Sequence, residues 1–495
     1  CPPCGEKQMR VVGWRRVAST LSPSPPAPQS QAGGDAARWA RMYEVVRRRG
    51  LVLPNSEVYG GLASALDFGP LGAQLKKNLR DRWWRDFVER RRNCMGLESS
   101  VLMNRAVWEA AGHLSSFTDP LVECKLCHAR FRADHLEQGS GGQGYMCPCP
   151  QKNTDFSEPK EFNMLFQTRY GCTEDSPMIP LRPETAQGIF TQFPAIVRNH
   201  RPRLPFGVGQ VGKSFRNEIS PGHMLFRMRE FEQMELEFFC KPEEATHWYQ
   251  YWVQESLQWL LDLGIPSEML RCEEAVGEEA AHYAACSTDI EFLFSFGWGE
   301  LWGIANRTDF DLRAHMLASG KDFSMRELQE SGSTHTLPYC IEPALGLDRL
   351  MLALLSATYT EEEVLSADGQ PTTRSLFRLP VDLAPIQMAV LPLSKKEPLV
   401  SIADSFADRL CSQIRCEVDV TQSIGKRYRR QDEVGTPFCV TVDFETPHDG
   451  CVTIRYRDSM FQVRMPMDQV VDIVSDSNAT LWDFQGPQST ECSTG

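Results

Sequence analysis

A chain of 495 residues, 42% hydrophobic and 24% charged, is long enough for two or three domains with a large core. A net charge of −13 argues against a protein that coats nucleic acid non-specifically, though not against one that holds phosphates on local basic patches. No apolar run reaches the ~18 residues of a membrane span, and the 17 cysteines, several inside apolar runs (Cys240, Cys340, Cys439), predict reduced core thiols in a cytosol-like compartment.

Residues 1–40 are rich in Pro, Ser, Ala and Arg, lack a hydrophobic period, and are predicted to be a disordered tail. The basic start fits an organelle presequence faintly; the Pro-rich tracts fit a plain tail better. Order begins near Tyr43. Over 68–91, apolar residues at 71, 75, 79, 83/84 and 87/88 mark an amphipathic helix that packs either on its own domain or against a second subunit. Next, Cys124-x2-Cys127 and Cys147-x-Cys149 are spaced as two halves of a zinc ribbon. The second half is short for two thiolates on adjacent vertices, so these are either structural zinc ligands or free thiols.

Two β-prone runs, Val208–Phe215 and Phe226–Phe239, flank a polar loop and predict a long antiparallel hairpin. Alternation puts Phe231, Gln233, Glu235 and Glu237 on one face and Glu232, Met234, Leu236 and Phe238 on the other. The first face, with Arg216, Arg227 and Arg229 near, could hold a polyanion beside an ammonium group. From about residue 380 a strand, a helical stretch and β-rich runs at 416–421, 437–444, 451–457 and 460–466 form a second α/β unit. There, Lys426, Arg427, Arg429 and Arg430 surround Tyr428, which suits phosphates and an unstacked base or a solvated basic loop.

Phe-Arg-x-Glu, a loop, then Arg and Phe (GKSFRNEIS, FRMREFEQMELEFF) resembles motif 2 of the class II aminoacyl-tRNA synthetases. With LRPETAQGIF (181–190), GWGELWGIANRTDFDL (297–312) and IEPALGLDRLMLALL (341–355) in the same order, the chain resembles the bacterial homodimeric glycyl-tRNA synthetases over roughly 41–473. The resemblance implies an α+β fold: a class II antiparallel-sheet catalytic domain with flanking helices over 41–380, carrying a Cys-containing insertion at about 121–160. A C-terminal α/β anticodon-binding domain would occupy 381–480 and a tail 481–495. The 68–91 helix would be motif 1, at the interface of a homodimer.

It also implies a cytoplasmic ligase (organellar if the tail is a presequence) that joins glycine to tRNA(Gly) with ATP and Mg²⁺. Arg216 and Arg349 would be catalytic. ATP would meet Arg216, Asn217, Glu218, Phe226, Arg227, Met228, Arg229, Glu230 and Phe231, then Glu300, Leu301, Gly346, Leu347, Asp348 and Arg349. Phe231 would stack on adenine and Glu300 would be the Mg²⁺ carboxylate. Glycine would meet Arg132, Glu184, Phe231, Glu232, Gln233, Met234, Glu235, Glu342, Pro343, Ala344, Leu345 and Gly346. Residues 426–430 would touch tRNA, and Cys124, Cys127, Cys147 and Cys149 would bind structural Zn²⁺.

One departure stands out: Glu342-Pro343-Ala344 replaces the family's Glu-Pro-Ser. Ala344 leaves open an enzyme for another small amino acid. A catalytically silent synthetase-like accessory subunit is the alternative class, but such relatives lose the motif 2 and motif 3 arginines that this chain keeps.

Overall fold

The computed structural model describes residues 32–62, 65–133, 136, 147, 155–276, 284–329, 332–365 and 369–475. Its centre is a seven-stranded sheet built from Cys94–Gly96 (β1), Phe206–Phe215 (β2), Glu230–Cys240 (β3), Leu270–Val276 (β4), Cys286–Phe294 (β5), Gly297–Thr308 (β6) and Tyr339–Gly346 (β7). The order is β4-β5-β6-β7-β3-β2-β1, antiparallel throughout except where β1 lies parallel to β2. Helices Ala32–Arg48 (α1), Pro70–Trp84 (α2), Ala186–His200 (α3), Ala245–Asp262 (α4), Phe310–Ser319 (α5) and Leu347–Thr358 (α6) surround it.

Strand β3 explains the layering. Met234, Leu236 and Phe238 point into a large core with Leu75, Leu79, Trp83, Trp252 and Met351. The alternate residues face the other way, and that row ends at Phe239, which packs with Phe193 of α3 at a 4.7 Å ring separation. Because side chains alternate at every residue, the hairpin register alone fixes which ones meet the site. Phe231 pairs with Ser214, Gln233 with Gly212 and Glu235 with Gln210.

The expected hairpin is present, but its second strand starts at Glu230 rather than Phe226. Residues 220–229 form a turn closed by Gly222 and Arg227, with His223 and Met224 at positive φ. The motif 1 helix buries Leu75, Leu79 and Trp83 within its own domain, then loosens into a π-helical turn over Arg85–Glu89.

Two expectations need correction. Residues 32–40 were placed in the tail, yet α1 begins at Ala32, Trp39 is buried, and Arg38 Nη2 donates to the Tyr359 carbonyl at 2.6 Å. Trp39, Met42, Val45 and Val46 form one helical stripe, and a boundary at residue 40 cuts through it. The basic stretch around Tyr428 leaves a solvated loop open as one of two readings. It is a helix instead, as described below.

The C-terminal unit is a five-stranded sheet of Met388–Pro392 (β8), Cys416–Val418 (β9), Phe438–Val442 (β10), Cys451–Tyr456 (β11) and Gln462–Pro466 (β12) in the order β9-β8-β10-β11-β12. β8 runs parallel to both neighbours, so each crossover needs a helix. Leu399–Leu410 (α7) and Ile424–Val434 (α8) supply these, and Met467–Ser475 (α9) follows β12. Asp432 of α8 accepts from Arg455 of β11 at 3.0 Å and from Arg374 at 2.8 Å, tying this unit to the strand Pro371–Phe377. Among the described residues no helix is long and apolar enough to cross a membrane.

Candidate active site

A cavity of about 430 Å³ opens on the β3–β7–β6–β5 surface. At one end, Arg216 lies over the Phe231 ring, 5.3 Å from its centroid, with its Nε donating to the Pro183 carbonyl at 3.0 Å. At the other, Arg349 sits in the first turn of α6, whose N-cap is Gly346, where amide dipoles favour anions. Its guanidinium lies 4.4 Å from the Phe226 ring centroid and donates to the Phe226 carbonyl at 3.0 Å and to Glu300 Oε2 at 3.1 Å. Arg349 holds the carboxyl of Glu300, whose side chain is half exposed, below its ordinary range.

Between the arginines, Glu218, Arg227, Met228, Leu301 and Gly346 line the walls. Asp348 and Glu232 form a polar corner with Lys76: the Glu232 amide donates to Asp348 Oδ2 at 2.7 Å, and Lys76 Nζ meets Asp348 Oδ1 at 2.6 Å. Asp289, directly opposite Gly303 on the next strand, also lines the cavity. Burial and the charges of Glu300 and Glu291 push its carboxyl up to about 7.

The inner end is acidic. Glu184, Gln233, Glu235, Glu342 and Ala344 line it, and the strand register sets Glu235 opposite Ala344. Gln233 Nε2 donates to Glu235 Oε1 at 2.7 Å, and the Thr185 amide donates to Glu235 Oε2 at 3.1 Å. The guanidinium of Arg307, 2% exposed, organises the rest: Nη1 donates to Glu342 Oε2 at 2.7 Å, while Nε and Nη2 grip Asp311 at 2.7 and 2.9 Å. Glu184 takes Gln187 Nε2 at 2.9 Å and lies 3.4 Å from His113 Nε2.

These carboxyls separate electrostatically. Burial opposes ionisation of Glu184, yet His113 and Arg307 hold it well below the usual range. Burial and neighbouring carboxylates raise Glu235, and they raise Glu342 despite Arg307. The site can therefore present fixed negative charge to an ammonium group at one end and cations to phosphates at the other.

Several expected residues lie elsewhere. Arg132 pairs with Asp119 at 2.9 Å, and Glu230 is exposed and paired with Lys213. Met234, Leu345 and Leu347 are core residues with no exposure. Asn217 is anchored through its amide to the Met164 carbonyl at 2.7 Å, Arg229 Nη2 donates to the Glu218 carbonyl at 3.1 Å, and Pro343 is a buried strand residue paired with Ile304. Arg307, Asp311, Gln187, His113 and Asp289 were missed. Arg307 lies on β6 and Asp311 in the first turn of α5, so their ion pair crosses a strand–helix junction where the helical i,i+4 rule gives no signal.

The C-terminal basic cluster is largely committed inward. Arg427, 2% exposed, donates to the carbonyls of Pro392 and Asp419 at 2.7 and 2.9 Å, and Arg430 pairs with Asp419 at 2.7 Å. Tyr428 bonds Thr441, while Lys426 and Arg429 remain exposed, Arg429 touching Thr372 Oγ1 at 3.0 Å. The spacing of Ile424, Arg427, Tyr428 and Gln431 on one helical face explains the difference from a loop.

Beside the small sheet formed by Thr118–Glu123, Arg130–Arg132 and Lys160–Asn163, with Cys124 and Cys127 in the connection between its first two strands, the Sγ atoms of Cys124, Cys127 and Cys147 lie within 4.8 Å of one another, with Cys127 and Cys147 at 3.6 Å. Cys149 lies outside the described residues.

An antiparallel sheet with a phosphate-competent arginine on its hairpin and another at a helix start, followed by a separate α/β unit, defines a class II aminoacyl-tRNA synthetase. Residues 170–358 match the tRNA synthetase class II core domain (G, H, P, S and T), and residues 387–477 match the anticodon binding domain. The glycine--tRNA ligase of Geobacillus thermodenitrificans is 49% identical over 456 residues, covering 87% of this chain and 96% of that protein. Those of Thermobifida fusca (48%, 87% and 96%) and Streptomyces coelicolor (49%, 86% and 95%) are similar. The chain belongs to the glycine--tRNA ligase family.

Proposed function

We infer that the chain attaches glycine to tRNA(Gly) in two steps within the cavity just described. One cavity joins two arginines, Arg216 and Arg349, to an acidic end formed by Glu184, Glu235 and Glu342, and this arrangement carries the reading. A glycine carboxylate oxygen attacks the α-phosphorus of ATP, the bond to the β-phosphate oxygen breaks, and pyrophosphate leaves. The terminal ribose hydroxyl of tRNA then attacks the adenylate carbonyl, and AMP leaves.

No nucleophilic side chain is needed. The protein aligns the attack and stabilises the charge that grows on the phosphate. Arg216 is placed to hold the α-phosphate with the attacking carboxylate, and Arg349 to hold the far phosphates. Phe231 and Phe226, each under a guanidinium, offer flat faces for the base. At the acidic end the ammonium group meets carboxylates beside Ala344.

Mg²⁺ would sit on Glu300 and neutralise phosphate charge when bound. The donor chemistry fits: Glu300 and Asp289 offer carboxylate oxygens around Gly303, where a Cβ would stand 3.5 and 3.6 Å from them. The cysteine trio fits a structural Zn²⁺, since ~2.3 Å Zn–S bonds in a tetrahedron place sulfurs about 3.8 Å apart. A second copy of the chain is the expected partner, and Lys426 and Arg429 are the exposed cations of α8 available to tRNA.

Amino-acid-dependent ATP–pyrophosphate exchange tests the reading with glycine, alanine and serine compared side by side. Exchange with glycine alone supports it, and exchange with alanine or serine moves the substrate. No exchange from a folded protein that still binds nucleic acid would favour the silent accessory subunit, a reading that intact Arg216 and Arg349 oppose.

A further inference from the structure

Behind Glu235 and Glu342 lies another glutamate that the adenylation chemistry does not use. Glu237 follows Glu235 by two positions on β3 and so projects from the same face. Its side chain is fully buried, and its carboxylate lies within 4.8 Å of those of Glu235 and Glu342. From β7 the Cys340 thiol donates to Glu237 Oε2 at 3.0 Å. Glu237 Oε1, equally buried, has no hydrogen-bond partner among the described residues.

The surroundings hold a surplus of acid. Glu342 on β7, Glu184 before α3 and Asp311 on α5 all converge on Arg307 from β6, which already donates to Asp311 and Glu342, and Glu235 on β3 stands within 4.8 Å of Glu342. Carboxylates this close and this dry cannot all be ionised, because each charge is both desolvated and repelled. A fully buried carboxyl with one orphaned oxygen, within 4.8 Å of two other buried carboxyls, is accounted for most simply by a proton shared among them.

We propose that Glu237 is a positioning residue that stays protonated at neutral pH and donates its O–H to Glu342. Glu342 is thereby held between Arg307 on one side and Glu237 on the other, oriented to receive the ammonium group of the amino acid. The pocket then carries one negative charge fewer than its glutamates suggest. Burial and the Glu342 charge, which push the Glu237 carboxyl well up, agree with this. The proposal rests on the glycine reading above for its consequence, but not for the proton itself.

The test uses the whole chain with Glu237→Gln and Glu237→Leu. Glutamine can donate an N–H where the acid donates its O–H, so E237Q keeps the KM for glycine within about twofold of wild type. E237L, of similar size but without a donor, raises that KM by about tenfold or more, with the KM for ATP and the maximal exchange rate little changed. The infrared difference between wild type and E237Q at neutral pH shows the C=O stretch of a protonated carboxyl. E237Q as damaging as E237L would mean an ionised ligand and overturn the proposal, as would a missing carboxyl band. Unaltered kinetics in E237L would remove the positioning role. If E237L does not fold, E237Q and the infrared band still decide. A carboxyl band in a protein without glycine-dependent exchange would sink the glycine reading and leave the proton standing.

Discussion

Arg307 Nη1 lies 2.7 Å from Glu342 Oε2, and both side chains are almost wholly buried. That contact connects the substrate end of the cavity to α5 through Asp311, so a single guanidinium sets the orientation of a carboxylate on a neighbouring strand.

Removing Arg307 leaves Glu342 and Asp311 as buried, uncompensated acids. Arg307→Leu is expected to cost about 3–5 kcal/mol of folding stability, measured by urea unfolding of wild type and variant. A change within the error of the fit would show that water reaches the pair.

Arg349 stands at the start of α6, over Phe226 and against Glu300. Arg349→Ala should lower kcat for glycine-dependent exchange by about 10²–10³-fold, the usual effect of deleting a donor at developing phosphate charge, with stability little changed. Arg349→Lys restores charge without the planar fork and should recover only part of the loss.

Ala344 lies opposite Glu235 on β3 and opposite Gly303 on β6. Ala344→Ser adds a hydroxyl beside the acidic end, and one added hydrogen bond should lower the KM for glycine by about two- to tenfold. A rise in KM would show that the alanine is the better fit in this pocket.

Glu184 has its folded-state pKa depressed, with burial opposed and outweighed by His113 and Arg307. A depressed acid contributes stability above its unfolded pKa of about 4.3 and loses it as pH falls through the folded value. Glu184→Gln should therefore be less stable than wild type at neutral pH, with the gap closing as the solution is acidified below about pH 4. Unfolding free energies measured across that range check the sign.

The Sγ atoms of Cys124, Cys127 and Cys147 are close enough to share a metal ion. Elemental analysis should find about one zinc per chain, in keeping with a closed structural site, and Cys127→Ser should lose it. Exchange activity should persist, because the cluster lies beside the small sheet outside the cavity.

What was legible in the chain was local. The hairpin, the alternation that sends Gln233 and Glu235 to one face and Met234 and Leu236 to the other, and the helix beginning at Gly346 all follow from residue periodicity and backbone preference over a few positions. Periodicity also gave the strands of the C-terminal unit. It failed where a pattern crossed an assumed boundary, as at Trp39, or where charge disguised a helix, as at Arg427, whose guanidinium is absorbed by two carbonyls.

The tertiary structure alone decided which charges are partners. Arg307, Asp311 and Glu342 are far enough apart in the chain that no local rule joins all three, yet the β6–β7 pairing and the start of α5 bring them within hydrogen-bond distance. Likewise, the family resemblance implied Met234, Leu345 and Arg132 as substrate contacts, whereas strand pleat buries the side chains of Met234 and Leu345 in the core and Arg132 pairs with Asp119. Sequence sets the faces of each element, because side-chain direction is a backbone property. Which faces meet, and hence which buried acid keeps a proton, depends on contacts between strands and helices distant in the chain.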